Sequence, residues 1–162
     1  MKIFIGADHA GFDLKEQLIP HLNSLGHHVV DKGAHAKVLE DDYPDYMSLV
    51  AEEVSKDESS RGVVIGGSGQ GEAIVANKFA RVRAVVFNGQ YFRPGRDIPN
   101  EIVLSRIHND ANVLSLGARF LTLEDAKDAV DLWLTTPFSG DERHIRRLKK
   151  IGALETKLLR LS

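Results

Sequence analysis

Val63-Val64-Ile65-Gly66-Gly67-Ser68-Gly69-Gln70-Gly71-Glu72-Ala73-Ile74-Val75-Ala76 runs from a short β-branched stretch into a glycine turn and out into a helical pattern. Val63 to Ile65 reads as a buried strand, because an apolar run without polar alternation suits a sheet covered on both faces. Four glycines within the six residues 66 to 71 then need a reason. Glycine turns the chain through positive φ and lets another atom approach the backbone closely. A helix opening at that point presents N–H groups with no intrahelical partner and a partial positive charge. Those are the parts of a cradle for an anion or a developing oxyanion. A tight turn with no ligand is the plain alternative.

The spacing excludes two well-known phosphate loops. From Gly67 and Gly69, the dinucleotide pattern G-x-G-x-x-G needs its third glycine at 72, which is Glu72, and the G-K-[ST] of a Walker loop is absent. A carboxylate in a helix's first turn often only complements the dipole. Beside a glycine cradle at a strand's carboxyl end, however, burial can raise its pKa toward neutrality and make it a base.

Working outward, Lys2-Ile3-Phe4-Ile5-Gly6 reads as a first strand. Leu14, Leu18, Leu22 and Leu25 follow at helical spacing, with Gly26 as the stop and Pro20 weakening or kinking the middle. His28 to Asp31 is a second strand, and a polar loop over 33–43 leads through Tyr43-Pro44 into a helix from about Asp45 to Lys56. The helix after the glycine turn is expected to reach Phe79, and Arg83 to Phe87 and Asn112 to Leu116 are the remaining strands. Thr122, with Asp125 three residues on, suggests a capping box for a helix through Trp133. About Asp141 to Leu161 is a basic amphipathic helix. The alternation implies βαβ units in one α/β domain over 1–162: a three-layer α/β/α, Rossmann-like arrangement with a five-stranded parallel sheet and a C-terminal helix at about 141–161. In such sheets ligands bind outside the carboxyl ends of the strands. The loops after Ile5, Ile65, Phe87 and Leu116 are therefore where chemistry is expected.

The formal net charge of -2 over 162 residues gives no reason to expect nucleic acid or a membrane as the main partner. With no cysteine in the chain, disulfides, thiolate metal sites and a thiol base are excluded. Met1 to Ile5 is too short an apolar stretch for a signal peptide, and no later run could span a bilayer. A soluble, cytoplasmic protein is expected.

Five motifs, in order, resemble the ribose-5-phosphate isomerase B / galactose-6-phosphate isomerase family. They are G-A-D-H-A-G-F-D-L-K (Gly6 to Lys15), D-Y-P (Asp42 to Pro44), G-G-S-G-Q-G-E-A-I-V-A-N-K (Gly66 to Lys78), R-x-H-N-D-A-N-V-L-S-L-G-A-R (Arg106 to Arg119) and R-H-I-R-R (Arg143 to Arg147). The resemblance runs from residue 2 to about 155. Each motif alone is weak, whereas the ordered set is specific.

The resemblance implies aldose–ketose isomerisation of a sugar phosphate, without a metal or other cofactor. Asp8 would bond sugar hydroxyls, His9 would approach the phosphate end and Tyr43 would line the pocket. The N–H groups of Gly67, Gly69 and Gly71 and the Ser68 hydroxyl would hold the oxyanion. His108 would assist ring opening beside Asn109, while Arg119, Arg143 and Arg147 would hold phosphate. Family active sites form at a dimer interface, so a homodimer is implied, with a tetramer as the open alternative. The family's enolising base is either a cysteine at the loop's first position or a glutamate opening the next helix. Here the first position is Gly66 and the second is Glu72, so the resemblance makes Glu72 the base.

Each residue also has a plainer reading: His9 as a turn residue, His-Asn at 108–109 as turn chemistry ahead of a strand, and Arg143 and Arg147 as solvated charge. Between Val86 and His108 the chain exceeds the family pattern by roughly nine residues, within the range of tolerated insertions. This longer stretch over 88–104 leaves the sugar open among tetrose, pentose and hexose phosphates. The competing functions are isomerisation of a non-phosphorylated acidic sugar and a non-catalytic phosphosugar-binding module.

Overall fold

Among the described residues the apolar runs form five strands: β1 (Lys2–Ala7), β2 (His28–Asp31), β3 (Arg61–Gly66), β4 (Ala84–Phe87) and β5 (Val113–Gly117). Every pairing is parallel, in the order β2-β1-β3-β5-β4. The helices are α1 (Phe12–Ser24), α2 (Tyr43–Lys56), α3 (Gln70–Ala76), α4 (Glu101–Asn109), α5 (Leu123–Thr135) and α6 (Glu142–Leu159). The computed structural model describes residues 1–90 and 99–159. Residues 91–98 of the longer stretch, and residues 160 and 161 of the expected last helix, lie outside the described residues.

Parallel strands need right-handed crossovers, so a change of direction across the sheet moves the connecting helix to the other face. The two cores follow that rule. Leu14, Leu18 and Leu22 of α1, Ile102 of α4 and Ala126, Val130 and Trp133 of α5 pack on Ile3, Ile5, Ile65 and Leu116. Met47, Val50 and Val54 of α2 and Ala76 of α3 pack on Phe4, Val64 and Val113. Alternate residues of each strand thus feed opposite layers, as the pleat requires. The chain leaves β1 toward β2 and leaves β3 toward β4, in opposite directions, so the crevice outside their carboxyl ends is the topological switch point.

Local chemistry sets the boundaries. Thr122 Oγ1 accepts the Asp125 N–H at 3.1 Å and Asp125 Oδ2 accepts the Thr122 N–H at 3.0 Å, the reciprocal box expected for α5. At the end of α1, the Gly26 N–H bonds the Asn23 carbonyl and the His27 N–H bonds the Leu22 carbonyl. Pro20 lies within α1, which runs unbroken to Ser24. α2 opens two residues earlier than expected, with Pro44 in its first turn. α3 stops at Ala76 rather than Phe79, because Asn77 leaves the helix to bond both backbone groups of Ala84, at 3.0 and 2.8 Å.

The sequence reading left no helix between β4 and β5, yet 101–109 is helical and His108 and Asn109 form its last turn. Asn100 caps it by accepting the Val103 N–H, and Asp110 ends it at φ 44°. The buried stripe includes Arg106, 4% exposed, whose guanidinium bonds Asp110 at 2.8 Å and the Ala111 carbonyl at 2.6 Å. A charge on the inward face hides the apolar period. Among the described residues, no helix is long and apolar enough to cross a membrane.

Candidate active site

The glycine turn after β3 is built for close approach. Gly69 sits at φ 74° as the N-cap of α3, a conformation that costs glycine nothing. Ser115 Oγ donates to its carbonyl at 2.7 Å and holds the cap from β5. Ser68 Oγ accepts the Gln70 N–H at 3.3 Å, which leaves the hydroxyl proton available as a donor. Gly67 lies under the Arg119 guanidinium: a Cβ there would meet Arg119 Cζ at 3.1 Å. Its carbonyl accepts the Arg119 N–H, also at 3.1 Å. Gly71 lies under the Tyr43 ring, which a Cβ would meet at 2.8 Å.

Glu72 is 4% exposed, and its Oε2 is buried without a hydrogen-bond partner. Its Oε1 occupies the space a side chain at Gly66 would need, so a Cβ on Gly66 would collide with it. Burial pushes the Glu72 carboxyl up from the ordinary value and Asp8 adds to this; its own N–H, Arg119 and the Gly69 N–H pull the other way. The outcome is a raised carboxyl beside the turn's amides, the state a reversible proton carrier needs.

The loop after β1 faces this turn across the switch point. The Asp8 N–H bonds the Ile65 carbonyl at 3.3 Å. Asp8 Oδ1 accepts the N–H groups of Ala10 and Gly11, at 2.9 and 3.1 Å. His9 Nδ1 lies 2.6 Å from Asp41 Oδ1. Sequence reasoning passed over Asp41, because an acid ahead of Asp42-Tyr43-Pro44 looks like one more helix-capping candidate. Among the described residues, Asp8, His9 and Asp41 are the group whose ligand atoms, all within 4.8 Å, could hold a metal ion. The Asp41–imidazole bond engages Asp41 Oδ1 and His9 Nδ1, and the two amides engage Asp8 Oδ1. Nearby, burial raises the Tyr46 phenol, with the Asp41 and Asp45 carboxylates next in effect.

The other expected site residues lie at the opposite edge. Asn109 and Asp110 offer their carbonyls to Arg83 Nε, just ahead of β4, and the Asn112 carbonyl accepts the Gly62 N–H near the start of β3. His108 therefore stands at the amino ends of the strands. Its ring packs against His144 of α6 with centroids 4.4 Å apart. His144 is 2% exposed and bonds Ser139 Oγ through Nδ1 at 2.8 Å. Burial, then His108, Arg143 and Arg147, depress its pKa, while Asp141 pulls the other way. Arg143 and Arg147 flank it on α6 and are exposed.

The expected set is thus split. Asp8, His9, Tyr43, Gly67, Ser68, Gly69, Gly71, Glu72 and Arg119 gather at the carboxyl ends, and His108, Asn109, Arg143 and Arg147 at the amino ends. The six residues of β3 separate the two groups by roughly 17 Å at about 3.3 Å per residue.

A family model described as Ribose/Galactose Isomerase matches residues 3–151. Ribose-5-phosphate isomerase B of Escherichia coli (strain K12) is 43% identical over 156 residues, covering 96% of this chain and 97% of that protein. The Mycobacterium leprae ribose-5-phosphate isomerase B is 38% identical over 156 residues, covering 96% of this chain and 90% of its own. Among solved structures, Clostridium thermocellum ribose-5-phosphate isomerase B superposes with a TM-score of 0.87 at 43% identity, covering 98% of this chain and 99% of that one. The Mycoplasma genitalium enzyme with bound ribulose-5-phosphate gives a TM-score of 0.87 at 36% identity, over 96% of each chain. With motif order, sheet topology and these matches in agreement, the chain belongs to the ribose/galactose isomerase family.

Proposed function

We propose that this chain interconverts an aldose phosphate and a ketose phosphate, with ribose 5-phosphate and ribulose 5-phosphate as the first pair to test, and that Glu72 is the base. The observation that carries the assignment is the Glu72 carboxyl: buried, unpartnered at Oε2, raised by burial and set against the glycine turn. Isomerisation removes a proton from the carbon beside the carbonyl and returns it one carbon away. One carboxyl can do both when its pKa approaches the working pH. The charge that develops on oxygen meets the amides of Gly67 to Gly71 and the Ser68 hydroxyl at the start of α3. Asp8 holds the sugar hydroxyls and His9 meets the phosphate end, while Tyr43 closes one side over Gly71. The scheme calls on no metal or other cofactor.

Ring opening suits an imidazole near neutral pH, and phosphate suits a face of arginines. His108, Asn109, Arg143 and Arg147 supply both, but at the far edge of the sheet. The separation supports a homodimer in which one subunit's amino-end group completes the other's carboxyl-end group. Arg119, already on the glycine turn, joins the partner's arginines. The same reading makes this a cytoplasmic, single-domain metabolic enzyme.

The test is ribose 5-phosphate isomerisation by the wild type and Glu72→Gln, with substrate binding measured alongside. Loss of turnover by about 10²- to 10⁴-fold with binding retained is the expected result for a removed general base. Near-normal turnover in Glu72→Gln removes Glu72 from the mechanism, and a wild type that binds without turnover leaves a binding module.

A further inference from the structure

The His9–Asp41 contact joins residues 32 apart in sequence, and no motif that led to the site includes Asp41. One oxygen, Asp41 Oδ1, receives both the His9 backbone N–H at 3.1 Å and the His9 ring at Nδ1 at 2.6 Å. An ionised carboxylate only accepts, so the ring nitrogen facing it must carry the proton. The Asp41 side chain is 5% exposed, and besides His9 the Tyr46 phenol faces it. Shielding a carboxylate from water is costly unless its charge is used. At this position the only imidazole in contact with that charge, among the described residues, is His9, with Asp8 also close by.

We propose that Asp41 is a positioning residue for His9: it holds the imidazole with its proton on Nδ1 and leaves Nε2 for the substrate. This rests on the reading in which His9 meets the phosphate end of a sugar phosphate. No hydrogen bond engages His9 Nε2 among the described residues. Which ring nitrogen serves the substrate is set by the bond the other one makes. A phosphate oxygen only accepts, so Nε2 must donate to it. The ring is then protonated on both nitrogens, and the negative Asp41 behind it compensates the charge. An asparagine at 41 removes that charge, and its amide can donate to Nδ1 and reverse the tautomer. A reversed ring still offers Nε2–H to phosphate, so what the substitution costs is the positive charge that Asp41 sustains on the ring, not the donor itself.

Two readouts test the assignment. Ring-nitrogen NMR shifts of His9 on substrate-free protein are expected to report the Nδ1–H form in the wild type and a changed tautomer mixture in Asp41→Asn. In steady-state kinetics with ribose 5-phosphate, Asp41→Asn is expected to raise KM about tenfold while kcat stays within about threefold, as for lost ground-state binding. In a His9→Ala background, Asp41→Asn should add nothing, since coupled residues are not additive. Wild-type ring shifts in Asp41→Asn, an unchanged KM, or an effect that persists in full without His9 would overturn the proposal. The shifts need no turnover: if the wild type proved inactive, the isomerase reading would fall while the NMR still decided the role of Asp41.

Discussion

At the scale of single residues, the decisive pair is Gly66 and Glu72. They are six apart in sequence, yet the carboxyl of one fills the side-chain space of the other. Gly66→Ala should therefore displace the base without unfolding the strand. Circular dichroism should be unchanged, while kcat falls by about 10²-fold or more, as expected for a misplaced general base. Wild-type turnover in Gly66→Ala would show that the carboxyl can work from elsewhere. The raised Glu72 pKa has a second consequence, for stability. Between the ordinary value of 4.5 and its own higher one, the folded protein binds more protons than the unfolded chain, so this group's contribution falls as pH rises through that window. Glu72→Gln should accordingly gain in Tm relative to the wild type as pH is raised from about 4 to 8. A Tm difference that does not change with pH would mean that the carboxyl is not raised. Sequence pattern carried Glu72 because glycines announce the cradle next to it. Asp41 carried no such mark, since its partner His9 becomes adjacent only when α2 docks beside the β1 loop.

At the scale of elements, legibility tracked how local the determining chemistry is. The α5 capping box is contained in Thr122 and Asp125, and it formed as written. Thr122→Ala should cost about 1 kcal/mol, the usual value of a lost N-cap, and leave KM and kcat unchanged. Urea unfolding with m held constant checks it, and a loss near zero would mean that Asp125 and the helix dipole suffice. α4 is the opposite case. Its inward stripe contains Arg106, which belongs there only because Asp110 and the Ala111 carbonyl meet it in the fold. Arg83 grips the same Asp110 at 2.9 Å. The αL residue that ends the helix is thus clamped from two sides, which fixes the turn bearing His108 and Asn109. Periodicity cannot register a buried arginine whose partners are the αL turn that ends its own helix and the Thr136 carbonyl at the end of α5. The end of α3 was misread for a similar reason, because Asn77 stops it by pairing with β4.

At the scale of the whole molecule, the sheet itself divides the chemistry. Residue types and spacing were enough to nominate both groups, but not to say that β3 stands between them. That separation follows from the direction of α4, which must return the chain to the start of β5 and so carries His108 and Asn109 away from Glu72. If two subunits share each site, inactive variants from opposite groups should repair one another. In a mixed dimer of Glu72→Gln with His108→Ala, one site receives both defects and the other receives neither. Random reassortment of equal amounts makes half the dimers mixed, with one intact site each, so activity should recover to about a quarter of the wild-type value. Pairing Glu72→Gln with Arg147→Ala should behave the same way under limiting substrate. Variants from the same group, such as Glu72→Gln with Asp8→Asn, should recover nothing, because every mixed site then still carries one defect at its carboxyl end. Absence of recovery in the opposite-group mixture, with subunit exchange verified by native mass spectrometry, would mean that each chain completes its own site. The α4 and α6 residues would then have to reach Glu72 by a rearrangement of roughly the length of β3, at about 3.3 Å per residue.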